Sequence, residues 1–167
     1  MAITSKTTKA ELLKLFDKHK DIVKDTIKET LSYMGEDTVG YIRKQPQDES
    51  WIDRTGNLRS SITYEIIGDG KVLEVGEGVL IKDGKDGVIK GVEYAKKIGS
   101  SILTSVGNNF AIVVVAGMEY AMSVERRDNK VVLERGKLKA DKEFPEYMRG
   151  AVRKIILRIN ALNDANK

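Results

Sequence analysis

From Leu12 onward the apolar residues recur at three- and four-residue steps, as Leu12, Leu15, Phe16, His19, Val23, Ile27, Leu31 and Met34. Lys14, Lys18, Asp21, Lys24, Asp25 and Lys28 fill the positions between them. That is the period of an amphipathic helix with one apolar stripe and a charged outer face. Thr8-Lys9-Ala10-Glu11 adds a capping box at its start, with Thr8 as N-cap and Glu11 reaching back. The phase continues through Tyr41 and Ile42. The pattern therefore predicts a helix over residues 9–44, bent or broken at Gly35-Glu36-Asp37 and stopped by Pro46.

The period then changes. Ile62, Tyr64 and Ile66 alternate with Ser61, Thr63 and Glu65, which is the rhythm of a half-buried strand. Gly68-Asp69-Gly70 marks a turn and Val72 to Val75 a second strand, so residues 59–76 read as a β-hairpin. Residues 76–108 are rich in glycine and read as an excursion from the sheet, with a second small hairpin around Asp83-Gly84-Lys85-Asp86-Gly87. Phe110 to Gly117, the most apolar run, reads as a central strand buried on both faces. Pro145 suits the first turn of a last helix over residues 145–162, with Met148, Ala151, Val152, Ile155, Ile156, Ile159 and Leu162 as its apolar stripe. The order helix, strands, helix indicates one α+β domain spanning residues 1–167. In it the long N-terminal helix and the C-terminal helix pack on one face of a small, mainly antiparallel sheet whose strands span residues 59–117. Gly91-Val92-Glu93-Tyr94-Ala95 is echoed by Gly117-Met118-Glu119-Tyr120-Ala121, but two copies do not make a repeat fold.

Composition narrows the class. The 167 residues, 41% hydrophobic and 32% charged, suit a single globular core. No apolar run is long enough for a membrane helix, and the first residues lack the apolar core of a signal peptide, which suggests an intracellular product. The chain has no cysteine, which removes disulfides, thiol catalysis and thiolate metal sites. Net charge is +4, unevenly placed, since residues 126–158 hold 11 basic against 5 acidic side chains. A basic third of this size can meet a phosphate backbone or an acidic protein surface, although a solvated face with a spare positive charge is the more economical reading.

Catalytic chemistry is hard to assemble from these residues. The single histidine, His19, lies on the apolar side of a helix rather than beside a nucleophile. One imidazole cannot make a histidine-rich metal site, and no carboxylates stand at calcium-loop spacing. The glycine-rich stretch lacks a Gly-Lys-Ser/Thr ending, so it is no phosphate loop. Asp48, Glu49 and Asp53 form an acidic group ahead of the first strand, and Glu119 and Glu125 flank Tyr120. Clusters of this kind are expected by chance in a chain with 25 acidic residues. The expectation is a protein that is not an enzyme and holds no metal or cofactor.

Residues Trp51 to Ile62, "WIDRTGNLRSSI", stand between the long helix and the first strand. Thr55-Gly56 permits a sharp turn with positive φ at the glycine, Asn57 can satisfy turn amides, and Leu58 can reach the core. Arg54 and Arg59 are then free to pair with carboxylates of a neighbouring subunit. Trp51 is either a lid on the seam between helix and sheet or an interface anchor.

Arg54 to Ile62 resembles a segment of the tail-completion, or head–tail joining, proteins of long-tailed bacteriophages, in which a Thr-Gly-x-Leu-(Arg)-x-Ser-Ile pattern joins a helix to the first strand. Two further elements are similar to that family's, in the same order. Val113 to Glu125 matches its hydrophobic strand followed by Gly and Tyr-Ala-x-x-Val-Glu, through Tyr120, Ala121, Val124 and Glu125. Phe144-Pro145 matches its aromatic-Pro step before a final helix. The chain departs from the family at Arg126-Arg127-Asp128-Asn129, where a glycine is usual, and in the length of the 76–108 insert. The resemblance implies a structural virion protein, assembled in the host cytoplasm. It implies a subunit of a six- or twelve-fold ring at the neck, between the portal-side connector and the tail tube. Its partners would be other copies of itself, the portal-side adaptor and tail-tube or terminator proteins, with passing contact to packaged DNA and none to membrane. Trp51, Arg54, Thr55, Gly56, Asn57, Leu58, Arg59, Tyr120 and Glu125 are the expected assembly or hinge residues. The alternative is a basic nucleic-acid-binding module using residues 126–158.

Overall fold

A computed structural model of the chain describes residues 8–47, 50–126 and 132–165. The elements in order are α1 (Lys9–Arg43), α2 (Asn57–Ser60), β1 (Ile62–Gly68), β2 (Lys71–Val75), α3 (Lys85–Val106), β3 (Ala111–Ala116), α4 (Ala121–Arg126) and α5 (Glu134–Ala165). The three strands form an antiparallel sheet in the order β2-β1-β3. The class is α+β, with long terminal helices and a small antiparallel sheet.

α1 begins as its sequence demands. The Thr8 backbone N–H donates to Glu11 Oε2 at 2.8 Å, and the Glu11 N–H donates to Thr8 Oγ1 at 3.3 Å. The helix then runs unbroken to Arg43, without a break at 35–37. Gly35 is there to admit a neighbour: a Cβ on it would lie 2.6 Å from the ring of Tyr64. Leu31, Val39 and Ile42 pack around that contact with Ile62, Tyr64 and Ile66 of β1. The opposite side of α1 carries α5, held by Arg158 on Thr26 and Glu29, Lys139 on Asp37, and Tyr33 edge-on to Tyr147. Both long helices thus lie on the same side of the sheet, α1 against the strands and α5 outermost.

The glycine-rich excursion is where the sequence expectation fails. Residues 85–106 form a six-turn helix, not a hairpin, and α3 covers the other face of the sheet. The missed signal is a four-residue period of small residues, Gly87, Gly91, Ala95 and Gly99, all buried. A Cβ at Gly87 would meet the Asn57 carbonyl oxygen at 2.0 Å, one at Gly91 the Ser61 carbonyl oxygen at 2.5 Å, and one at Gly99 the Glu65 carboxylate at 1.5 Å. The glycines let a helix lie on backbone, which outweighs their poor helix propensity. Gly91 and Gly117, which open the two echoed pentapeptides, also touch, since a Cβ on Gly117 would stand 2.6 Å from the Gly91 Cα.

Two further expectations are corrected. The central strand is β1, buried at all seven positions, whereas β3 is an edge strand and mostly half-buried. β1 alone has a strand on each side and a helix on each face, so hydrophobicity marked β3 without ranking it. The last helix starts at Glu134, with Pro145 inside it rather than in its first turn. Proline removes the bond to the Asp141 carbonyl, a local cost that the surrounding helix and its packing on α1 override. The hairpin turn is as expected, with Asp69 at φ 53 and Gly70 at φ 69 supplying the paired positive values of a two-residue loop.

Candidate assembly joint between helix and sheet

The chain leaving α1 passes through Ser50 to Ser61 before entering β1, and this stretch is tied together by buried polar groups. Asp53, 4% exposed, accepts from the Gly56 N–H at 3.0 Å through Oδ1 and from the Arg59 N–H at 3.1 Å through Oδ2. It thereby satisfies the first free amides of the tight turn and of α2. Gly56 takes the expected positive φ, 83, and a Cβ there would fall 1.8 Å from the Ile81 carbonyl oxygen.

Arg59 is 6% exposed and points inward. Its guanidinium donates to the Arg43 carbonyl and to Ser50 Oγ at 3.0 Å, stands 4.0 Å from Asp53 Oδ2, and lies 4.5 Å over the Trp51 ring. Arg43 answers by donating to the carbonyls of Arg59 and Ile62. Burial pulls both guanidinium groups below their ordinary pKa, and the Asp53 carboxylate opposes this at Arg59. A buried cation held by carbonyls and one carboxylate keeps its charge and locks the chain around it.

The expected site residues separate into two sets. Trp51, Gly56, Leu58 and Arg59 are buried, and Trp51 and Leu58 belong to the core. Arg54 and Thr55 are exposed, and Asn57 is half-buried. Asn57 does not serve its own turn; its Oδ1 accepts from the Gly87 N–H at 3.2 Å and so ties the joint to the start of α3. Thr55 Oγ1 accepts from the Asn57 N–H at 3.3 Å. Tyr120 is 43% exposed and near enough to Asp53 for that carboxylate to add to burial in raising its phenol pKa. Glu125 is elsewhere. Its carboxylate accepts from the N–H groups of Val132, Leu133 and Glu134, and so caps the start of α5.

Sequence reasoning missed Arg43, Ser50, Ser60 and Lys82. Ser60 Oγ accepts from the Ile81 N–H at 2.8 Å, and Lys82 donates to the Asp53 carbonyl at 2.6 Å. These two bonds fasten the β2–α3 connection onto the joint. No local pattern announces partners some 20 to 30 residues away. Of the acidic group seen in the sequence, Asp48 and Glu49 lie outside the described residues, and so do Arg127, Asp128 and Asn129. His19 hydrogen-bonds Asn163 at 3.1 Å across the two long helices. Among the described residues, no three His, Asp or Glu side chains converge as a metal set, and no helix is long and apolar enough to cross a membrane.

The family model described as "Bacteriophage HK97-gp10, putative tail-component" matches residues 10–126, from α1 through α4. Neither a curated protein nor a solved structure matches.

Proposed function

The chain belongs to the HK97-gp10-like family of bacteriophage tail components, and on that premise we propose that it is a neck subunit completing the tail and joining it to the head. Copies form a six- or twelve-fold ring between the portal-side connector and the tail tube, around the path of the packaged DNA. The role is structural rather than enzymatic, and the place of action is the virion. The observation carrying this reading is the family match, which takes in every element around the joint.

The surface supports it. At about 1.5 Å per residue the 35-residue α1 is about 50 Å long, whereas β1 extends about 23 Å, so the helices overhang the sheet. The overhanging start of α1 exposes apolar side chains: Leu12 is 41% exposed, Leu13 54% and Phe16 62%. Apolar surface gathered at one end of a molecule marks a place where other proteins sit. The basic region gives the nucleic-acid alternative less help. Lys139 pairs with Asp37 and Glu143, Lys154 and Arg158 with Glu29, Lys137 with Asp141 and Arg149 with Glu146. Asp37 and Glu29, which come from α1, thus offset part of the region's excess charge within the fold.

The test is complementation of a phage lacking this gene. Unjoined heads and tails should accumulate without the protein and join when it is supplied, with immunogold label at the neck. Normal joined particles in its absence would overturn the reading.

A further inference from the structure

The sheet has two uncovered edges of different character. Register and hydrogen bonding fix which groups of β3 face outward. Gly117 donates to the Ser61 carbonyl at 3.1 Å, next to the Ile62–Ala116 pair, so residues 111, 113, 115 and 117 bond toward β1. The N–H and C=O groups of Ile112, Val114 and Ala116 then point away from it. Among the described residues no hydrogen bond reaches them. β3 is Ala-Ile-Val-Val-Val-Ala, without charge, proline or bulge. β2, in contrast, carries Lys71 and Glu74 and a bulge that sets Leu73 out of register. Charges and bulges are how proteins blunt an edge, and only β3 lacks them.

A groove of about 760 Å³ runs beside that edge between α3 and α4, its apolar walls made by Tyr94, Ile98, Val115, Ala116 and Met122. On the opposite side of the molecule, residues 77–80 leave β2 as neither helix nor strand. Both ends of this segment are fastened, Gly76 to Tyr64 and Ile81 to Ser60, yet among the described residues no hydrogen bond engages residues 77–80 themselves. Val79 is 49% and Leu80 52% exposed.

We infer that residues 77–80 of one copy add as a strand to the β3 edge of the next, with Val79 or Leu80 seated in the groove between α3 and α4. Strand addition of this kind takes its affinity from main-chain bonds and its specificity from pockets for side chains. The two surfaces lie on opposite edges of one sheet, so the contact is head-to-tail and repeats until it closes, as a ring requires. One contact rule covers both the unguarded edge and the unbonded segment. The inference rests on the ring reading and names the surfaces that build the ring.

The absence of cysteine from the chain provides the test. Leu80→Cys and Ala116→Cys are placed in one chain, and purified particles are treated with a short bis-maleimide. The double variant should give a ladder at multiples of 18.6 kDa, and neither single variant should give one. A chain present in particles but yielding no ladder overturns the inference and leaves the neck role standing; a chain absent from particles overturns both. Ala116→Pro removes an outward N–H while sparing the bonds to β1, and Leu80→Asp changes an exposed side chain. Each should abolish joining while circular dichroism and melting stay as in the parent. Joining that survives either change, in a folded variant, also overturns the inference.

Discussion

Arg43 and Arg59 hold each other's backbone: each guanidinium donates to the other residue's carbonyl oxygen, across the gap between the end of α1 and the start of β1. Two like charges at close quarters would repel, but backbone carbonyl oxygens accept from both and the Asp53 carboxylate stands 4.0 Å from Arg59. Arg59 is therefore a structural residue, not the surface cation that its turn-rich context suggested. Arg59→Ala should cost roughly 3–5 kcal/mol, because it strips Asp53 of its buried cation and leaves the Arg43 carbonyl without that donor. Arg54→Ala, at an exposed position, should change stability by less than about 0.5 kcal/mol. Urea unfolding of the two variants decides it; equal effects would contradict the clasp.

Glycine substitutions should divide by what stands opposite them. Gly91→Val drives a side chain into the Ser61 backbone and should unseat α3, with severe loss of stability. Gly40 and Gly150 are also helical, yet nothing lies within 4 Å of where their Cβ would be. Gly40→Ala and Gly150→Ala should each stabilise the protein by about 0.5–1 kcal/mol. Melting curves showing the same sign at 91 and 150 would refute the packing account.

The Glu125 carboxylate takes three backbone N–H groups at the start of α5 and so acts as a cap supplied from α4. Glu125→Ala should cost about 1–2 kcal/mol, the usual worth of a capping side chain. Amide exchange of Val132, Leu133 and Glu134 should quicken in that variant while exchange within β1 is unchanged. Unaltered exchange at these three amides would remove the cap.

What the sequence made legible was what repeats locally. The 3.6-residue period from Leu12 to Ile42, the capping box and the alternation from Ile62 to Ile66 each announce their element within one or two turns of chain. α3 stayed hidden because its decisive stripe is made of glycine and alanine, whose meaning depends on the strand backbone they lie on. Edge and centre of the sheet were exchanged because apolar content reports burial, and Val113 to Val115 are apolar while Thr63 and Glu65 are the residues at the centre. The turn at Gly56 was readable from Thr-Gly, but the clasp below it was not. Its partners, Arg43, Ser50 and Arg59, are polar residues that hydropathy assigns to the surface.

Glu65 tests how far a buried charge is tolerated at the centre of this fold. It is fully buried in the middle of β1 under Gly99 of α3, and among the described residues neither carboxylate oxygen has a well-formed hydrogen bond. Burial pushes its carboxyl above the ordinary range, against smaller downward pulls from the Gly99 backbone and the Lys96 ammonium. The folded protein therefore binds this proton more tightly than the unfolded chain does. With both states protonated the carboxyl carries no charge penalty. As pH rises through the unfolded value near 4.5, the unfolded chain ionises first and folding weakens, until the pH passes the raised folded value. Stability contributed by this residue is thus present in acid and lost toward neutrality, the reverse of a paired carboxylate. Glu65→Gln keeps the shape and removes the titration. At pH 7 it should be more stable than the parent, because the amide carries no charge to bury, and the advantage should vanish near pH 4. Urea unfolding of both proteins from pH 4 to 8 gives the difference directly. A gap that does not change with pH would mean that Glu65 is not the group being titrated.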